Sequence, residues 1–345
     1  MTFFPLKFFL PHFFAGMQPV QAQKKKTARK QAATMPAPIF LDQYIIPNST
    51  KFQNTTVGGL SSIDYDSLHN QYYFVCDDRG GHNPSRFYTA SFNVKNKKIE
   101  DFQINGADTF RYTDGRIYPT AKADPDSALD PEELRYNPLQ NQIVWSSEGE
   151  RNIGDKRNYL HHPSVNISDT NGYLQYQLPI PPQFAMSASE TGPRRNGVFE
   201  GLAFASNYKT LFVSTEEPLY QDGEKAGLEK KSYWCRIIQY DLQRKEAVAQ
   251  YAYPLDAVAQ KPSPESGYVV NGISSLIALD DKRLLVLERS FSTGNISLVV
   301  KVYMINLTGA ENIQNNRSLL QNPVKKPLAK KLIFNFNSLK TMIDN

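Results

Sequence analysis

Four carboxylates close four similar apolar runs. Asp77 follows Tyr72-Tyr73-Phe74-Val75-Cys76, Glu148 follows Ile143-Val144-Trp145-Ser146-Ser147, Glu216 follows Leu211-Phe212-Val213-Ser214-Thr215, and Glu288 follows Leu284-Leu285-Val286-Leu287. A second strand-like segment precedes each run, and three of these carry Glu132, Glu200 and Asn271 near their starts. Acids that recur at one place in a repeated unit meet when the units are arranged around an axis. Crowded where water is scarce, they repel one another until a proton or a cation intervenes. An all-oxygen donor set, without thiolate or much imidazole, suits a hard cation such as Ca²⁺.

The elements that must position these acids repeat along the chain. Each unit is a strand, a polar turn and a second apolar strand: the turns are Asp66 to Asn70, Asn137 to Asn141, a segment around Asn207, and Asp280-Asp281. Turn formers between two runs of strand-favouring residues specify a hairpin. The units start near 59, 133, 201 and 272, at intervals of 74, 68 and 71 residues. Further runs at 86–92, 173–178, 236–242 and 299–307 read as outer strands that complete four-stranded sheets. The 22 prolines break helical patterns, and the best helix candidate, 223–231, is short and polar enough to be a loop. A fixed-period array of small antiparallel sheets specifies an all-β fold, the β-propeller, in which neighbouring sheets cover one another's faces. At about 40 to 50 residues per blade, the chain holds six blades, with five or seven as the adjacent counts. A β-sandwich also repeats hairpins but has no reason to repeat an acid at one strand position.

Composition narrows the function classes. The chain has 345 residues, 40% apolar and 21% charged, with a net charge of +5. Its only dense basic run is Lys24-Lys25-Lys26, so no nucleic-acid surface is expected. Residues 1–22 read as a signal peptide, with Lys7, the apolar run Phe8 to Met17, and Val20-Gln21-Ala22 at the cleavage point. The run contains Pro11 and His12 and is far shorter than the ~20 residues of a spanning helix. Residues 23–38 read as a flexible leader and 39–345 as one propeller domain, in a monomer that is secreted, periplasmic or held at the cell surface. Cys76 and Cys235 could pair in an exported chain or simply pack.

The strings Gly-Leu-Ser-Ser-Ile-Asp-Tyr-Asp (59–66), Cys-Asp-Asp-Arg-Gly (76–80), Asp-Pro-Glu-Glu-Leu (130–134), Trp-Ser-Ser-Glu-Gly (145–149), Phe-Glu-Gly-Leu-Ala (199–203) and Leu-Leu-Val-Leu-Glu-Arg (284–289) resemble the phytase-like, or esterase-like activity of phytase, family. The resemblance covers roughly 58–307 and implies an exported propeller acting on phosphate esters. Carried over residue by residue, it implies Asp77, Glu132, Glu148 and Glu288 as metal ligands, with Glu200 and Glu216 as catalytic carboxylates. Arg79, Arg151 and Arg289 are the expected substrate-binding groups, because a planar guanidinium can give two hydrogen bonds to phosphate oxygens. Where the family often has Gly after the first-strand Glu, this chain has Glu133, a further ligand or a changed turn.

Other readings compete. The strand-end acids could cap loops or pair with Arg79 and Arg289. Asp124, Asp126 and Asp130 look like a calcium loop, but Leu129 stands where an EF-hand needs Gly, so a solvated acidic loop fits better. His161 and His162 are adjacent and read as loop surface. Neither a Gly-x-Ser-x-Gly elbow nor a phosphate-loop lysine occurs. Three functions remain: a metal-dependent hydrolase of a phosphate ester or other anionic substrate, a lactonase-like propeller with a central cation, and a non-catalytic propeller binding carbohydrate or protein.

Overall fold

The computed structural model describes residues 39–154, 158–295 and 298–339. The expected signal peptide (1–22) and leader (23–38) lie outside them. Among the described residues four antiparallel four-stranded sheets are arranged as the blades of a propeller. From the axis outward, blade one comprises Asp64–Asp66, Gln71–Cys76, Arg86–Lys95 and Lys98–Thr109, and blade two Pro131–Asn137, Gln142–Ser147, Ser164–Asp169 and Leu174–Leu178. Blade three comprises Phe199–Phe204, Thr210–Thr215, Tyr233–Asp241 and Glu246–Leu255, and blade four Val269–Ala278, Arg283–Ser292, Val299–Asn306 and Lys330–Asn335. Among the described residues helix is confined to three short 3₁₀ turns, and none is long and apolar enough to cross a membrane.

The blade count corrects the expectation of six: the described residues form four. The interval of about 70 residues is itself one blade, enlarged by connections such as 110–130 between blades one and two and 307–329 inside blade four. Dividing the length by a standard blade counts those excursions as strands. The expected outer strands all appear, and the polar turns work as read, with Asn70 and Asn141 in the left-handed conformation that closes tight hairpins.

Each inner strand of blades two, three and four carries a bulge. Pairing with the second strand shifts register between Pro131 and Leu134, between Phe199 and Gly201, and between Ile273 and Ser275. A bulge leaves residues unpaired and re-aims their side chains. The residues so released are Glu132 and Glu133, Glu200, and Ser274.

Three of the four blade interfaces are filled by apolar side chains. Tyr73, Phe87, Leu134 and Trp145 join blades one and two, Val144, Val165, Leu202 and Val213 join two and three, and Phe212, Ile237, Leu276 and Val286 join three and four. At one end of the axis, reaching the seam between blades four and one, lies a cavity of about 1020 Å³ lined by residues of all four blades, among them Leu60, Phe74, Arg135, Phe204, Ile277 and Leu287. Arg135 of blade two spans the axis there, donating through Nη2 to Ser275 Oγ (3.2 Å) and Leu276 O (3.1 Å) of blade four.

Candidate functional site

At the other end of the axis a pocket of about 540 Å³ is lined by Asp77, Asp130, Glu132, Glu148, Glu200, Glu216 and Arg289, with Asn196, Tyr268, Val270, Phe291 and Leu298. The carboxylates come from three blades. Asp77, Glu148 and Glu216 stand just past the ends of second strands, and their backbone N–H groups donate to Gly59 O, Asp130 O and Val198 O at the entrances of inner strands. Glu132 and Glu200 are raised on the bulges. Gly272 keeps the space for Glu216: a Cβ at residue 272 would lie 2.4 Å from Glu216 Cγ. Oxygen atoms of Asp130, Glu132 and Glu148 lie within 4.8 Å of one another, as do those of Glu148, Glu200 and Glu216. Glu148 belongs to both groups.

Burial raises the pKa of every acid in the pocket, since an ionised carboxylate there lacks the water that would solvate its charge. It pushes Asp130 up to about 6 and Glu148 up to about 7. Glu216 reaches about 8, with the charges of Glu148 and Glu217 adding to burial. Glu132 and Glu200 lie well above the usual carboxylate range, through burial and then repulsion by their neighbours. The nearest cation to Glu216 is Arg289, whose Nη2 stands 4.0 Å from Oε1 on a side chain that is half exposed. Glu148 accepts a hydrogen bond from Val198 N (3.0 Å). All six acids therefore cannot be ionised together without added positive charge.

Glu288 stands elsewhere. Its carboxylate accepts hydrogen bonds from Lys330 Nζ (2.6 Å) and Asn271 Nδ2 (3.0 Å) of blade four and from Tyr253 Oη (2.6 Å) of blade three. The reason is register. Glu148 and Glu216 lie three residues beyond Trp145 and Val213, the partners of Leu134 and Leu202. The corresponding partner of Leu276 is Val286, and three residues beyond it is Arg289. Glu288 is one residue short, and a one-residue offset turns a strand side chain to the opposite face. Blade four thus brings an arginine, not an acid, to the pocket, and Asn271 follows Glu288 away from it.

Of the expected arginines, only Arg289 lines the pocket. Arg79 forms an ion pair with buried Glu150. Arg151 donates from Nε to Ser187 O (2.9 Å) and packs over the Tyr220 ring at 5.0 Å. Glu133 is buried, ion-paired with Arg135, and faces the seam cavity instead of the acidic pocket. Asp130, read from sequence as part of a solvated loop, lines the pocket; its place immediately before Pro131 and Glu132 was the available signal. His161 and His162 bond to Ala128 O and Met186 N. Cys76 and Cys235 are free and buried, their thiols donating to Gly58 O (2.9 Å) and Glu216 O (3.1 Å) beside the pocket.

The sequence model of the phytase-like family, described as esterase-like activity of phytase, matches residues 55–345. No curated protein matches the sequence. Among solved structures, hydrazine synthase of Kuenenia stuttgartiensis is 13% identical, with a TM-score of 0.34 over 76% of this chain and 68% of that one. The Dos1 propeller is 8% identical (TM-score 0.34, 82% and 62% of the two chains), and the periplasmic gluconolactonase of Pseudomonas aeruginosa 11% identical (TM-score 0.33, 73% and 69%). These likenesses are too distant to inform the site. The family match spans all four blades and every residue of the acidic pocket, and by it this chain belongs to the phytase-like family.

Proposed function

We propose that the protein is a metal-dependent hydrolase of phosphate esters working in the acidic pocket. The observation that carries this reading is the pair of carboxylate triads sharing Glu148. Their donor set is all oxygen and under-compensated, which fits Ca²⁺. Glu132 and Glu148, with Asp130, would hold the ion, and Asp77 borders them; Glu288 is left out because Lys330 already neutralises it. When bound, the ion supplies positive charge to the phosphate and acidifies water. Arg289, half exposed at the pocket, would donate to the non-bridging phosphate oxygens. Glu216 or Glu200 accepts the proton of the attacking water and returns it to the leaving oxygen. An ester and water thereby become an alcohol and inorganic phosphate.

A single arginine at the pocket also favours a second reading, a lactonase-like site, since a neutral ester carbonyl needs no anion clamp. A panel of phosphate esters and lactones, each with and without chelator, separates the two. Phosphate release that stops on chelation and in Glu216→Gln supports the first. Lactone opening supports the second, and silence on both with retained carbohydrate or protein binding supports a non-catalytic propeller. We read the chain as exported and monomeric; mass analysis of the mature protein and sedimentation test these two points.

A further inference from the structure

One wall of the acidic pocket differs from the others. Blade four contributes no carboxylate to it. Along its second strand Arg289 and Phe291 are exposed while Glu288, Ser290 and Ser292 are buried, so the first two share the outward face. Tyr268 packs beside Phe291, ring centroids 6.2 Å apart, and Val270 and Leu298 extend the surface. Tyr268 is 59% exposed, Phe291 37% and Leu298 45%. Large apolar side chains gathered on one wall of a pocket form a binding patch, unlike single exposed ones. The facing walls carry six carboxylates against one guanidinium. With all six ionised, Arg289 and even two divalent cations leave an excess of negative charge, so each additional phosphate on a substrate meets repulsion.

We propose, resting on the phosphate-ester reading of this pocket, that the substrate is the monophosphate ester of an aromatic or similarly large apolar alcohol, and not a polyphosphate. The phosphate lies between the triads and Arg289, and the organic group lies on Tyr268 and Phe291. Water oxygen bonds to phosphorus, the phosphorus–oxygen ester bond breaks, and the proton taken by the carboxylate goes to the departing alkoxide.

The test compares benzyl phosphate, ethyl phosphate and inositol hexakisphosphate with Ca²⁺ present. Benzyl and ethyl phosphate have similar leaving groups, so their ratio of kcat/KM reports the wall and not the chemistry. We expect that ratio to exceed about tenfold, a 1.4 kcal/mol preference, and to collapse toward one in the double variant Tyr268→Ala, Phe291→Ala. A ratio near one in the native protein, or faster turnover of inositol hexakisphosphate, overturns the proposal. If no ester is hydrolysed, the phosphate-ester reading itself has failed. Calorimetry with benzylphosphonate and ethylphosphonate then still decides the wall: preference for the benzyl compound that the double variant loses supports it, and equal affinity or no binding overturns it.

Discussion

Glu216 and Glu288 close corresponding runs one blade apart, both nearly excluded from water, and they have opposite surroundings. Glu288 meets Lys330, Tyr253 and Asn271, and Lys330 also reaches Asp256 at 2.7 Å. Glu216 meets Glu148 and Glu200, with its nearest cation 4.0 Å away on an exposed arm. Blade four supplies its buried acid with a cation of its own, and blade three adds a hydroxyl, whereas the pocket has concentrated acids and left their charge to something else. A buried acid that serves stability arrives with its cation, and one that lacks it is the candidate for binding.

The strongest way to break this comparison is to remove the internal cation. Lys330→Met leaves Glu288 buried without its ammonium, while half-buried Asp256 keeps Lys301, and breaking a buried pair such as Glu288–Lys330 typically costs about 3–5 kcal/mol. Urea unfolding at pH 7 should show a loss of that order. A loss below about 1 kcal/mol would mean that Glu288 is no better compensated than Glu216.

Removing charge from the pocket should do the reverse. The acids of the pocket bind protons more tightly when folded, because burial raises their pKa values. Their stability contribution is therefore complete below about pH 4, the unfolded value, and is lost as pH rises through about 6 for Asp130, 7 for Glu148 and 8 for Glu216. Cation-free protein should melt lower at pH 8 than at pH 5. Calcium at a hundred times its Kd at pH 5 adds about 2.7 kcal/mol there, and the same concentration should add more at pH 8, where fewer protons must leave and Kd is lower. A calcium effect independent of pH would remove the link between the ion and these acids.

Smaller still is the gain from neutralising one member. Glu216→Gln in cation-free protein at pH 8 should raise stability by about 1 kcal/mol, one pKa unit of relieved repulsion. Glu288→Gln, by contrast, should destabilise under the same conditions. If both variants shift in the same direction, their surroundings do not differ in the way described.

The repeat and the all-β class were legible because hairpins leave a local record: Asn70 and Asn141 sit between apolar runs, and the runs recur. The blade number was not, since long connections carry no mark that separates them from strands. Asp77, Glu132, Glu148, Glu200 and Glu216 were found because each lies at a strand end or bulge that the repeat exposes. Glu288 was misplaced because matching the ends of Leu-Phe-Val-Ser-Thr-Glu and Leu-Leu-Val-Leu-Glu ignores the one-residue difference in length. Register belongs to the pairing of strands, and only pairing shows that Arg289 is the counterpart of Glu216. Arg79 and Arg151 were drawn off by Glu150 and by Ser187 O, partners distant in sequence.

Arg289 supplies the smallest expected effect and the sharpest contrast with Lys330. Both are basic residues facing a buried glutamate of the same repeat, but Lys330 is mostly buried at 2.6 Å and Arg289 half exposed at 4.0 Å. An exposed pair at that distance contributes about 0–1 kcal/mol. Arg289→Gln should therefore unfold in urea within about 0.5 kcal/mol of the native protein, while turnover of a phosphate ester falls at least tenfold through loss of a charged hydrogen bond. The two readouts must separate. If stability falls as far as in Lys330→Met, Arg289 is doing for Glu216 what Lys330 does for Glu288, the pocket is a compensated structural cluster, and its acids have no charge left to offer an ion.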